Sequence, residues 1–366
     1  MDRGTLLAAA SAAALAAALV AAPAVAREAD PTADSSVVNG ATPETPNRWE
    51  GSLLLFDQSL TTQTAGVGAD YQSANPTYEW WVALKPRLTV LRRGADTLTL
   101  NLWLNAFLEL TDSDTSTRAR ELLLGPTYLW ATHAHQFRDH AGYRTSASIG
   151  PRFTLPTDKG ARATGQIMGV GAIAGASQAF PLGGTAARAL TGGRLGISVT
   201  YNHPLNRWTS PESDDVAVLR EDVNGVPIVS HQLRGQMNVR DALNVSLLGD
   251  MQLTRRLELA LSYIVLNTWR YPPPAAVLTV TPTGPAVVMS NLDPTTYGVS
   301  TWVTATLGYD VLDELTVSVG YYNLANQLSP YGTRRDPLWS PAARFFLALT
   351  AHLDAIGDHV RRRVTR

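Results

Sequence analysis

The sequence predicts an all-β protein: a transmembrane, antiparallel, up-and-down β-barrel of about twelve strands. Three observations carry that expectation. Apolar and polar residues alternate with period 2 over unusually long stretches, 97–111 being the clearest. The connections between these stretches are alternately short and long. Beyond residue 26 there is no uninterrupted run of about 18 apolar residues, so no mature membrane-spanning helix is expected.

Composition narrows the choice by exclusion. The 366 residues are 45% hydrophobic and 17% charged, with 30 basic against 31 acidic side chains and a formal net charge of −1. That balance gives no global attraction to nucleic acid, which is not expected as a partner. The chain has no cysteine. Disulfides, Cys-ligated zinc, iron–sulfur clusters and thiol nucleophiles are therefore excluded. No cofactor is expected.

Residues 1–26 read as a cleaved signal peptide. Arg3 precedes an alanine- and leucine-rich run over 6–22, followed by Pro23 and the small-x-small site Ala24-Val25-Ala26. Residues 27–47 are rich in Pro, Thr, Asp, Ser and Asn and read as a flexible leader. The barrel is expected over 48–354 and a basic tail over 355–366.

Successive side chains of a strand point to opposite faces, so period 2 marks a strand with two different surroundings. In 97–111, Leu98, Leu100, Leu102, Leu104, Ala106, Leu108 and Leu110 oppose Thr97, Thr99, Asn101, Trp103, Asn105, Phe107 and Glu109. Strands of globular proteins usually run about 5–6 residues, so this one is long. The same split recurs in 78–91, 143–155 and 297–311, and more weakly in 49–60, 121–135, 166–179, 193–202, 236–251, 256–270, 314–326 and 342–354. The connections 92–96, 136–142, 180–192, 252–255 and 312–313 are the shorter set, although 180–192 is the weakest case. The connections 61–77, 112–120, 156–165, 203–235, 271–296 and 327–341 are mostly longer and polar. A β-sandwich has no reason to sort its loops by parity, whereas a barrel with short periplasmic turns and long extracellular loops does. An even strand count then places both termini in the periplasm.

A long apolar strand face covered by nothing is a liability unless it meets lipid, and closure removes the unpaired edges. Tyr78, Trp80, Tyr128, Trp130, Trp269, Tyr271, Tyr297, Tyr309 and Tyr321 lie toward strand ends, where aromatic girdles belong.

These features together resemble the Gram-negative outer-membrane β-barrels over nearly all of 48–354. The resemblance implies an outer-membrane location, contact with outer-membrane lipid and lipopolysaccharide, and insertion by the barrel-assembly machinery. A fainter likeness attaches to Ile149-Gly150-Pro151-Arg152, Leu155-Pro156-Thr157-Asp158 and Gly160. That stretch is similar to the strand-to-loop region of the phenol meta-pathway type barrel family, which implies transport of hydrophobic solutes. The chain departs from the class at its end, where about a dozen residues follow the last strand instead of a terminal aromatic.

The face opposite the apolar one holds Lys85, Arg87, Arg144, Arg152, Arg194 and Arg344 against Glu79, Glu109 and Glu258. These are the expected lumen-lining charges. They would make a constricted lumen mildly anion-favouring, because clefts focus field lines. Cross-paired, the same charges would plug it, and twelve strands lies between filled barrels and open porins.

Other chemistry is sparse. His133 and His135 share a strand face, with His140 near, but no third metal ligand is assured and a polar lining at the rim explains them. Asn202-His203, before Pro204, falls in an expected loop, and no His-x-Ser, Gly-x-Ser-x-Gly or P-loop occurs. Asp214, Asp215, Glu221 and Asp222 read as a solvated acidic loop, and Arg361–Arg363 as a soluble end. No catalytic or metal residue is assigned. The expected function is passive passage of a small solute, mildly anion-favouring or hydrophobic. The alternatives are a plugged structural or surface-interaction barrel and a lipid-acting enzyme.

Overall fold

The computed structural model describes residues 48–62, 77–111, 120–138, 143–180, 192–211, 217–221, 227–231, 237–272, 296–326, 336–340 and 343–364. The expected signal peptide and leader, His140, Asp214, Asp215 and Asp222 lie outside them.

The chain forms a closed meander. Its strands are β1 (Leu53–Thr61), β2 (Tyr78–Lys85), β3 (Arg87–Arg93), β4 (Asp96–Glu109), β5 (Leu122–Leu124), β6 (Thr127–Arg138), β7 (Arg144–Leu155), β8 (Gln166–Phe180) and β9 (Gly192–Asn206). A separate hairpin, β10 (Ala217–Glu221) and β11 (Pro227–His231), follows in the longest loop. The wall then resumes with β12 (Val239–Gln252), β13 (Leu257–Arg270), β14 (Tyr297–Leu312), β15 (Leu315–Asn326) and β16 (Arg344–His352). Each wall strand pairs antiparallel with its sequence neighbours. β1 pairs with β16 over Leu53↔His352 to Thr61↔Arg344, which closes the barrel.

Fourteen segments make the sheet, yet the barrel has twelve strands, because two of them are interrupted. β2 and β3 are one strand broken at Pro86, which has no N–H to give the ladder, and both halves pair with β4. β5 and β6 are broken at Gly125-Pro126, and both again pair with β4. Asn105 donates its Nδ2 proton to Pro126 O at 2.8 Å and so ties the second break to the wall. In β7, Pro151 likewise interrupts the ladder to β6. Gly150 is required beside it, because a Cβ there would sit 1.7 Å from Ala131 O.

Three of the five expected short connections are tight turns among the described residues. Short turns join β3 to β4, β12 to β13 and β14 to β15 at one end, while the eleven residues between β8 and β9, at that same end, outnumber the ten between β7 and β8 at the other. In the first of these turns Gly94 takes a φ of 59°, the left-handed region that glycine enters without a Cβ penalty. Thr254 Oγ1 accepts from the Arg256 and Leu257 amides and fixes the second.

Two helices were not anticipated. α1 (Lys159–Ala163) sits in the connection between β7 and β8, where the Asp158 side chain accepts from the Ala161 amide at 2.7 Å as its N-cap. α2 (Leu353–Val364) occupies the segment read as a basic tail. Neither helix is long and apolar enough to cross a membrane.

Alternation is visible directly as burial. Along β4, Thr99, Asn101, Trp103, Asn105 and Glu109 are buried, while Leu100 and Leu104 are exposed. Leu54, Val82, Ile149, Leu195, Leu261 and Val319 continue the exposed apolar wall around the barrel. Soluble monomers rarely expose a contiguous apolar patch above a few hundred Å² (about 300–600 Å²), and this surface girds the whole molecule.

Candidate functional site

The strands deliver their functional side chains to the enclosed interior, which has three zones. At the short-turn end lies a cavity of about 290 Å³, lined by Glu50, Arg87, Arg92, Arg144, Arg194 and a floor of Thr99, Thr132, Ser146, Ser148 and Ser177. Arg92 pairs with Glu50 at 2.7 Å, and Arg194 with Asp250 at 2.7 Å. Arg87 and Arg144 have no acidic partner among the described residues. Arg87 lies against Gly51, whose Cβ position would be 3.1 Å from the guanidinium. The cavity therefore carries an excess of positive charge in a polar setting.

At mid-height two aromatic clusters face the interior. In the first, Trp81, Trp103, Tyr128, Trp130 and Ile173 are buried together, with ring centroids 6.0 Å apart for Trp81 and Trp103 and 6.3 Å for Trp103 and Tyr128. Two cations join them. Lys85 Nζ stands 5.4 Å from the Trp103 ring and 5.9 Å from Trp130, and the Arg152 guanidinium lies 4.3 Å from Tyr128. Such contacts stabilise a desolvated cation by about 0.5–2 kcal/mol each. The second cluster, on the far wall, holds Ile264, Leu266, Trp302 and Tyr322 with Leu324 and Phe346 against it.

Two seams separate the clusters. One is ionic: Arg344 from β16 is 3.3 Å from Glu79 of β2 and donates to Ser59 of β1 at 3.4 Å. It thereby spans the closing seam from inside, with buried Asp57 beside it. The other seam is small and polar. Ser177 of β8, Ser198, Thr200 and Asn202 of β9, and Asn244 and Ser246 of β12 share the buried parity there, with Gly169, Gly171, Gly175 and Gly196 between them.

Arg87, Arg144 and Arg194 come together at the cavity. Lys85 and Arg152 join the first aromatic cluster, and Glu79 and Arg344 form one ion pair. Glu109 is buried and accepts from the Thr111 hydroxyl. Glu258, part-buried near a short turn, lies opposite Gln252 and Gly308 in the ladder.

Three expectations need correction. Tyr128 and Trp130 are not girdle residues: they point inward and are 3% and 2% exposed. Their neighbour Leu129 is the exposed residue, so parity along β6 carried the signal that ring chemistry obscured. His133 and His135 do not line the rim, because they lie on the exposed parity of β6, both bonded to Asp96. Asn202 and His203 are not in a loop but in β9, which runs on to Asn206. There His203 Nδ1 contacts Asp241 Oδ1 at 2.9 Å on the outer wall, and Tyr201 donates to the same oxygen. Sequence reasoning missed Asp57, Asp250 and the Glu50–Arg92 pair. Asp57 was legible, since Leu53, Leu55, Asp57 and Ser59 share one parity.

A closed twelve-strand antiparallel barrel, apolar outside and holding ion pairs and cations within, is a transmembrane β-barrel by construction. No family model and no curated protein matches the chain. Among solved structures it is similar to an outer membrane channel from Pseudomonas putida F1, with TM-score 0.46 and 10% identity over 86% of this chain and 99% of that one. It is also similar to the NanC porin, with TM-score 0.37 and 6% identity over 82% and 98%. A third is outer membrane phospholipase A from Escherichia coli, with TM-score 0.34 and 9% identity over 85% and 94%.

Proposed function

We propose that this barrel sits in the outer membrane of a Gram-negative bacterium, short turns and termini on the periplasmic side, and passes a small anionic solute passively. The observation that carries the reading is the cavity at the short-turn end. It gathers four arginines, two of them without an acidic partner among the described residues, over a floor of Ser and Thr hydroxyls. A positive vestibule with low-dielectric walls concentrates anions and repels cations. The Ser-, Thr- and Asn-lined seam on β8, β9 and β12 continues from that floor between the two aromatic clusters, and supplies a hydrated track for a solute too small to displace the tryptophans. In this reading the nine charged residues Glu79, Lys85, Arg87, Glu109, Arg144, Arg152, Arg194, Glu258 and Arg344 set the lumen potential, the unpaired arginines most strongly.

Planar-bilayer recording tests it. The purified protein should open small steps whose reversal potential in a KCl gradient favours chloride. Replacing Arg87 and Arg144 together by Gln should abolish that preference and leave the barrel folded. No steps at a concentration where a control porin opens would overturn the channel reading. The second reading, a plugged structural barrel, draws on the buried aromatic clusters and requires that silence.

A further inference from the structure

We propose that α2 is an interfacial helix that lies on the phospholipid leaflet at the short-turn end of the barrel and binds the phosphates of anionic phospholipid headgroups. The inference rests on the reading that the barrel spans the membrane with this end on the phospholipid side. Leu353, Ile356 and Val360 recur at spacings of three and four, so they share one helix face. Two contacts fix the direction of that face. Asp354 Oδ2 accepts from the Gly51 amide at 2.8 Å, and His359 Nδ1 is 2.9 Å from Glu314 Oε1 in the turn between β14 and β15. Successive residues of a helix are separated by about 100°, which puts Asp354 and His359 roughly 110° to either side of the apolar stripe. The helix therefore rests on the barrel by its polar back and turns its apolar stripe away, leaving Ile356 38% and Val360 55% exposed.

The charges complement a phosphate layer. Arg361 and Arg363 flank the stripe on its two sides, and Arg362 lies behind it; all three are exposed. Arg361 lies 3.9 Å from Asp358, one turn back on the helix, with 71% of its side chain exposed. The short turns add exposed Arg93, Arg255 and Arg256 at the same end. An apolar stripe bordered by arginines is the arrangement of a helix that lies in a headgroup layer, its aliphatic residues dipping toward the acyl chains. A polyanion alone would account for the arginines and leave the stripe in water.

The chain has no native cysteine, so single introduced thiols report cleanly. The full-length protein would carry Val360→Cys labelled with a nitrobenzoxadiazole fluorophore, in vesicles of phosphatidylethanolamine with or without phosphatidylglycerol. Asp358→Cys labels the helix back, and Leu104→Cys the barrel wall. The proposal expects a blue-shifted emission at 360, quenched by shallow doxyl lipids when phosphatidylglycerol is present and much less at 358. Arg361, Arg362 and Arg363 replaced together by Gln should cut that quenching at least about threefold. A label at 360 as wet as that at 358, with 104 quenched, would overturn the helix assignment alone. An unquenched 104 would bring down the membrane reading with it. Self-quenching at 360 without lipid quenching would put a second copy of the chain on the stripe and overturn the assignment.

Discussion

The outer wall and the interior of this barrel are made by the same strands, yet they obey different rules. Outside, one property suffices: Leu54, Val82, Leu100, Ile149, Leu195 and Val319 occupy equivalent positions with different shapes. Hydrocarbon has no fixed form, so any apolar side chain serves. Inside, the residues answer to particular partners. Glu79 meets Arg344, Arg152 meets Tyr128, and Lys85 sits between two tryptophans. The comparison teaches that alternation specifies location on one face and identity on the other.

Substitutions that cross this divide should show it most strongly. Glu79→Gln removes the carboxylate bonded to the buried Arg344 guanidinium and leaves Asp57 as its remaining counter-charge, so it should destabilise by up to about 3–5 kcal/mol. Read by urea unfolding in detergent micelles, an effect under about 1 kcal/mol would mean that the closing seam does not depend on this pair. Leu104→Arg places a charge in the outer wall and should cost about 2–4 kcal/mol in a bilayer. Leu104→Met should cost less than about 1.5 kcal/mol, since only apolarity is required there. An equally damaging Met would show that the outer wall is as particular as the interior.

A smaller effect comes from outside the membrane-spanning strands. Asp158→Ala removes the cap of α1 and should cost about 0.5–2 kcal/mol. Burial raises the Asp158 carboxyl above its usual value, against the lowering effect of the Ala161 amide. Folding therefore disfavours the ionised form. The resulting gain is complete below the ordinary carboxylate value and is lost as pH rises through the raised one. Amide exchange at Ala161 should thus be relatively better protected in acid, and Asp158→Asn should flatten that dependence. An unchanged profile in the Asn variant would assign the dependence to another group.

Much of the wall was legible in sequence, for a physical reason. Lipid on one side and an enclosed interior on the other impose the period-2 pattern on every strand, and all twelve strands register it. Partnership inside is not periodic. Tyr128 and Trp130 carry rings that suit either a girdle or a lumen, and only the exposed Leu129 between them sets the phase. Glu79 and Arg344 are remote in sequence and meet because β1 closes between their strands. Pro86 and Pro126 break two strands without ending them, because β4 holds both halves. α2 is not legible in the sequence because its apolar stripe has only Leu353, Ile356 and Val360 before Val364, and three consecutive arginines are equally the pattern of a solvated tail.

The central claim is that the interior parity of these strands meets a conducting, water-filled path. It is tested most directly by recording single channels while a small, charged, thiol-reactive reagent is added. The account predicts that Ser198→Cys channels are blocked by the reagent, whereas Leu104→Cys channels and the cysteine-free parent continue unchanged. Conducting channels in which Leu104→Cys is blocked and Ser198→Cys is not would contradict it.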